Sequence, residues 1–337
     1  MGSNPLGRPG ATPRAQERTA RIDLSRARDS RLLVLAAGLG CVLLFQALLP
    51  LSAKRIDSSD YLGFYEPVAR QILDGQGPVL ADGRPATRYP PGYPALLAGL
   101  FGAAHALGLS DTAVLTALSA LAMALASLLL LELAASVWPR RRALLAPLAF
   151  TTYPLALWLA KQPNSEVPFL VPLYGSVLLF WSVARGARCL AVRAVGCGAV
   201  AGVAMLIRPI ALGLGVALAV LALALACASA SSRIGTAVLV LAGNFAVVLP
   251  WEVWVYRQTG DVILLSTGGV PAMRDGLTFA GQRKGSRRSI AVPPDVAELE
   301  ADIEGHYQEL RSVRDIMILM REEWSRRPVA VSKLLAW

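Results

Sequence analysis

The sequence predicts an all-α polytopic membrane protein with about seven transmembrane helices. Three observations carry that prediction. Of 337 residues, 55% are hydrophobic and only 17% charged, and mean hydropathy is +0.50, far greasier than a soluble domain. Apolar runs of spanning length recur along most of the chain. Arginines cluster in alternate short loops between those runs, the pattern expected of cytoplasmic connections. This composition excludes a soluble enzyme and a disulfide-stapled secreted module. Cys41, Cys189, Cys197 and Cys227 lie in or beside apolar segments with no Cys-x-x-Cys pair, and only His105 and His306 are present, so neither a disulfide framework nor a His-rich metal site is indicated.

Residues 1–31 are polar and carry seven arginines; they read as a disordered basic cytoplasmic arm. Leu32 to Leu51 is an apolar run of spanning length. Its polar lead is too long for a signal-peptide n-region, and the run exceeds an h-region, so it reads as an uncleaved first span. The outer loop 52–110 follows, with a helical pattern from Asp57 to Leu73 that sets Asp57, Tyr61, Tyr65 and Val68 near one face. Tyr93–Gly108 is apolar but short of a span and opens on prolines, which suits an interfacial or re-entrant helix. Further spans are expected at Ala113–Val137, Ala143–Ala160, Val167–Ala184, Ala194–Ile207, Ile210–Ala230 and Ile234–Tyr256, completing a transmembrane domain over 32–256.

Charge decides the count. With Tyr93–Gly108 not crossing, Arg140, Arg141, Arg142, Arg185, Arg188, Arg193 and Arg233 all fall on the side of the amino terminus. Were it to cross, the Arg140–Arg142 cluster would face outward, against the positive-inside rule. The amino terminus is therefore read as cytoplasmic and the tail 257–337 as extracytoplasmic. In that tail Pro293 and Pro294 open a long helical stretch, acidic early and basic late, that Pro328 ends. Lys333 to Trp337 reads as the start of another span. Trp251 and Trp254 read as interface anchors. The positive charge is a topology signal, so no nucleic acid is expected as a partner.

Under this topology polar residues gather on the outer face. Asp57, Asp60 and Tyr61 lie in the first outer loop; Arg88 and Tyr93 flank a proline turn; Lys161 and Glu166 lie between spans three and four; Arg208 separates spans five and six. Ionisable groups at the ends of apolar helices are functional candidates. Carboxylates beside cations suit a general base facing an anionic, lipid-anchored substrate, because guanidinium grips phosphate with a planar fork of donors. Blander readings stand beside these. Asp57 also fits a helix N-cap, with the helix starting at Ser58. Glu166 fits a first-turn acid, and Arg208 a snorkelling interfacial cation.

In order and spacing these residues resemble polytopic glycosyltransferases of the GT-C fold, in particular the aminoarabinose transferase and protein O-mannosyltransferase group (family 39-like). The resemblance rests on Asp57 four residues before Tyr61, on Ala69 to Gly75, and on the turn from Tyr89 through Pro90 and Pro91 to Tyr93 and Pro94. It continues through Ser165-Glu166, through Gly198, Gly202, Leu206, Arg208 and Pro209, and through Pro250-Trp251 with Ser266 to Gly269. It implies transfer of a sugar from a polyprenyl-phosphate donor to a lipid, glycan or protein acceptor hydroxyl at a bacterial inner membrane, on the extracytoplasmic face.

Asp57 would then be the general base, with Asp60 the neighbouring candidate and Glu166 the second acidic residue. Arg208 and the proline turn would hold the donor phosphate, with Arg88, Tyr93, Lys161 and Tyr61 as further substrate-binding candidates. Arg88-Tyr89 replace the Glu-Lys that some members carry, removing their metal-binding acid and phosphate lysine. No cofactor or metal site is assigned, and a divalent metal requirement stays open. Relatives continue through further spans, so a chain shortened at its carboxyl end is expected. A lipid-binding protein, a transporter or flippase, and an inactive relative remain the alternatives.

Overall fold

The computed structural model describes residues 13–186, 189–225, 230–278, 293–306, 309–310 and 313–336. Residues 1–12 of the expected arm, Arg188 of the topology set and Trp337 lie outside them. The described residues are overwhelmingly helical and contain no β-strand. The chain divides into two compact units, residues 1–84 with 91–250 and residues 85–90 with 251–337.

The first unit opens with α1 (Pro13–Leu48). Helix therefore continues back from the apolar run through residues 13–31, where a disordered arm was expected. Segment 14–31 is rich in Arg and Ala and free of Gly and Pro, a composition that favours helix, and extending an existing helix needs no new nucleus. After a 3₁₀ turn at Leu51–Lys54, α2 (Glu66–Leu73) and α3 (Gly92–Leu107) pack together. α4 (Asp111–Ala135) starts at Ser110, whose Oγ accepts the Ala113 N–H at 3.3 Å, a serine cap. It packs against α1 and against α8 (Glu166–Ala184).

Between them lie α5 (Arg140–Ala143), α6 (Leu145–Thr152) and α7 (Pro154–Lys161). The expected span Ala143–Ala160 is thus broken, with a 53° bend. Tyr153 takes an extended conformation because the Pro154 ring disfavours a helical residue before it. α9 (Leu190–Ile207) packs on α8, followed by α10 (Leu214–Leu225) and α11 (Ala230–Thr259).

Among the described residues, five helices are long and apolar enough to cross a membrane, or six if the bent pair counts as one. They are Arg28–Leu48, Asp111–Ala135, Glu166–Ala184, Leu190–Ile207 and Ser231–Thr259. The sixth expected span, Ile210–Ala230, is described up to Leu225, as a shorter apolar helix within Pro209–Leu225. Pro209 makes a 3₁₀ turn and Gly213 adopts φ +84°, so regular helix starts late. Residues 226–229, toward the expected end of that span, lie outside the described residues. Gly92–Leu107 is likewise apolar and shorter than a span, as read from sequence.

Close approach of α9 and α11 depends on glycine. A Cβ at Gly198 would fall within 3.0 Å of the Val240 carbonyl, and one at Gly243 within 3.0 Å of the Val195 carbonyl. Small residues let membrane helices meet backbone to backbone. Around that contact a core forms from Phe180, Ala194, Cys197, Ala201, Leu218 and Val240.

The second unit contains α12 (Gly269–Leu277), α13 (Pro294–Gly305), α14 (Val313–Arg326) and α15 (Pro328–Ala336). The single long helix expected from Pro294 to Pro328 is two helices. The second of them ends at Arg326, just before Pro328 as expected, and Pro328 opens another helix, where its missing N–H costs no intrahelical bond. Val296, Leu299, Ile303, Ile316, Val331 and Leu334 form its core. Residues 333–336, read as the start of a further span, lie in α15, where Lys333 Nζ bonds Asp295 Oδ2 at 2.7 Å. Trp251, read as an interface anchor, is buried and donates its indole N–H to the Leu265 carbonyl at 2.8 Å.

Candidate functional site

The candidate site lies in the first unit, where the loop from Lys161 to Glu166 runs beside the segment 57–66. Three tethers hold the two together. Asp57 and Gln162 bond in both directions: the Asp57 N–H donates to Gln162 Oε1 at 3.4 Å, and Gln162 Nε2 donates to Asp57 Oδ1. Ser58 Oγ donates to Asn164 Oδ1. Tyr65 and Ser165 share a hydroxyl–hydroxyl bond of 3.3 Å.

Asp57 is not the helix cap. The chain is helical from residue 59, and Ser58 accepts both from Tyr61 N–H (Oγ, 3.3 Å) and from Leu62 N–H (backbone O, 3.0 Å). The Asp57 side chain is 69% exposed, whereas the Lys161 side chain at 3.7 Å from its Oδ1 is only 4% exposed. Lys161 ends α7, a favourable place for a cation, and donates to the Arg55 carbonyl at 2.6 Å. Its ammonium also lies 4.9 Å from the Trp158 ring centre. One Asp57 oxygen is thus held by an amide and a shielded ammonium. No partner is described for Oδ2. Lys161 also lines a cavity of about 290 Å³ with Gln46, Lys54, Ile56, Thr116 and Pro163; neither Asp57 nor Glu166 is in its wall.

At the other end of the loop, Glu166 opens α8 and pairs with Arg208 Nη1 at 2.6 Å. The same nitrogen donates to Ser165 Oγ at 3.0 Å. Arg208 sits in extended conformation between α9 and the Pro209 turn, so the proline break aims it at the loop instead of continuing a helix. Glu166 Oε2 is buried without a hydrogen-bond partner, as is the Tyr93 hydroxyl. Tyr93 packs edge-on to Tyr65, with ring centres 4.9 Å apart. Burial raises the Tyr93 phenol well above its ordinary pKa, reinforced by Tyr65, Tyr61 and Glu166.

A third group was not singled out from sequence. Arg70 Nη2 bonds Glu66 Oε1 at 3.1 Å and Asp111 Oδ2 at 2.5 Å, and its guanidinium covers Phe101 at 4.4 Å. The i, i+4 spacing of Glu66 and Arg70 signals a pair; the third member, at the start of α4, has no sequence signal. Tyr61 is buried beside this group, and burial followed by the Glu66 charge raises its phenol pKa. A π-helical turn, Tyr61–Tyr65, keeps Tyr61, Phe64 and Tyr65 inward together.

Of the expected site residues, the structure gathers Asp57, Lys161, Glu166 and Arg208 along one loop, with Tyr61 and Tyr93 in the packing beneath. Asp60 lies in the first helical turn, half-buried. Arg88 belongs to the second unit, where its guanidinium lies 5.4 Å from the Tyr89 ring centre. Gln162, Asn164 and Ser165, which tether the loop, carry no chemical signature in sequence. Among the described residues no three of His, Cys, Asp and Glu converge as a metal-binding group. Compared with protein-family models, curated proteins and solved structures, the chain matches none.

Proposed function

We propose that this chain is a membrane glycosyltransferase of GT-C type, transferring a sugar from a polyprenyl-phosphate donor to an acceptor hydroxyl, with Asp57 as general base. The observation that carries this reading is the state of the Asp57 carboxylate. Its Oδ1 is fixed by Gln162 and faced by Lys161, while the side chain as a whole stays exposed. A carboxylate oriented through one oxygen and open at the other suits proton abstraction from a bound hydroxyl, a contribution of about 10²–10⁴-fold. In the reaction the acceptor oxygen bonds the anomeric carbon and its proton passes to Asp57. The carbon–oxygen bond to phosphate breaks, and the phosphate leaves with the electron pair. Arg208, steadied by Glu166 and Ser165, is the cation assigned to the developing phosphate charge. We assign the site to the extracytoplasmic face of a bacterial inner membrane, with the amino terminus cytoplasmic.

Membranes carrying the full chain should transfer label from a radiolabelled polyprenyl-phosphate sugar, and Asp57→Asn should abolish transfer while leaving expression intact. Normal turnover by that variant would refute the base assignment. Cysteines placed at 57 and 166 should react with membrane-impermeant thiol reagents added from outside; protection of both from such reagents would overturn the topology.

A further inference from the structure

The ends of α4 and α8 remote from the candidate site hold a second, differently built cavity of about 480 Å³. The candidate site lies at the start of α8, and this cavity lies at its finish, where Trp181, Ser182 and Arg185 meet Glu132, Ser136 and Arg140. The 19 residues of α8 rise roughly 29 Å, about one hydrocarbon thickness. The two places are therefore at opposite bilayer faces, both at headgroup depth.

The one carboxylate among the described residues of that wall is already engaged. Glu132 Oε1 accepts from Arg31 Nε and Arg140 Nη2, each at 2.9 Å, and Oε2 accepts from Arg140 Nη1 at 3.2 Å. Arg31, Arg140 and Arg185 against Glu132 leave the cluster with a surplus of positive charge. Arg185 spends one described donor on the Ser136 carbonyl, at 2.9 Å, and lies 4.8 Å from the Trp181 ring centre. A guanidinium has five N–H donors and no acceptor. The Trp181 indole N–H is buried with no hydrogen-bond partner. The hydroxyls of Ser136 and Ser182 are turned back onto their own helices, at the Leu133 and Leu179 carbonyls. The cavity thus offers guanidinium donors and positive charge, a tryptophan ring and the apolar flank of Leu178.

We infer that this cavity is a binding site for the phosphate headgroup of an anionic bilayer phospholipid, held by Arg185 over Trp181. Phosphate is the anion that matches a guanidinium fork, tryptophan is at home at headgroup level, and two membrane-length helices wall the site. It is independent of sugar transfer and stands or falls apart from the Asp57 assignment.

The test uses the full chain purified in mild detergent and offered equimolar phosphatidylglycerol and phosphatidylcholine, with retained lipid read by native mass spectrometry. Phosphatidylglycerol should be retained preferentially. Arg185→Ala should lower its retention about tenfold, the scale of one charged hydrogen bond. Trp181→Phe, which keeps an aromatic face but replaces the indole by a smaller ring, should weaken retention by a smaller factor, and Arg193→Ala on the neighbouring helix should leave it unchanged. Arg185→Lys guards against a folding defect: its elution profile should match wild type while retention falls. Equal retention of the two lipids would overturn the inference, as would undiminished retention by a folded Arg185→Ala. Inorganic phosphate displacing the lipid at equal concentration would show a free-anion site and likewise overturn it.

Discussion

Replacing Arg208 by alanine isolates the pair that orders one end of the candidate site. Glu166 then keeps a carboxylate with one oxygen already buried and unpartnered, and loses the cation 2.6 Å from the other. Ser165 loses a donor at 3.0 Å. Exposed ion pairs are worth about 0.2–1 kcal/mol, whereas removing one partner of a fully buried pair costs about 3–5 kcal/mol. The Arg208 and Glu166 side chains are 28% and 33% exposed, so the cost should fall between, at about 2 kcal/mol. For a unit of this size that lowers the melting temperature by roughly 4–8 °C.

Cys197, fully buried in the α8–α9–α11 core, is the reporter. With Cys41, Cys189 and Cys227 replaced by serine, a maleimide fluorophore follows its exposure on heating. All variants are compared at one scan rate, because membrane proteins commonly unfold irreversibly. Glu166→Gln alone should cost less, and the double variant should sit above the sum of the singles by about 1 kcal/mol, the coupling of the pair. A melting point for Arg208→Ala within a degree of wild type, or strictly additive singles, would refute the reasoning.

Two further outcomes follow from the same structure. Gly198→Ala should separate α9 from α11, because its Cβ would fall under 3.0 Å from backbone on the facing helix and backbone cannot swing aside; the Cys197 assay should show early exposure, while Gly235→Ala, with open space around it, should melt normally. Tyr61 has a raised phenol pKa in the fold, so its contribution is complete below the unfolded value near 10 and is lost as pH rises through the folded one. Wild-type stability should therefore fall above about pH 10, and Tyr61→Phe should flatten that decline; an identical alkaline profile for the two would contradict the burial argument.

Membrane character was legible because lipid selects composition over long runs, and five of the expected spans match helices of spanning length. What sequence misjudged were the breaks. Ala143–Ala160 is uniformly apolar, yet Pro154 bends it at Tyr153. Ile210–Ala230 is apolar enough to cross, yet Pro209 and Gly213 delay its regular helix. Hydropathy sums over a window, whereas a helix is broken by one residue's torsion angles. In the candidate site, the charged members were recognisable by residue type and by position at helix ends. The neutral tethers Gln162, Asn164 and Ser165 were not, since amides and hydroxyls are common in loops and gain meaning only from what faces them.

By itself, then, the sequence determined the solvent this chain is built for, the helical class, and most of the residues able to do chemistry. Tertiary structure alone decided which of those residues meet. Asp57 and Lys161 are 104 positions apart, and Glu166 and Arg208 are 42 apart; helix packing closes those separations, and no local pattern encodes them. It also decided that Asp57 turns outward while Ser58 caps the helix. Neighbouring residues with equal cap propensity are told apart only by the loop that packs against them.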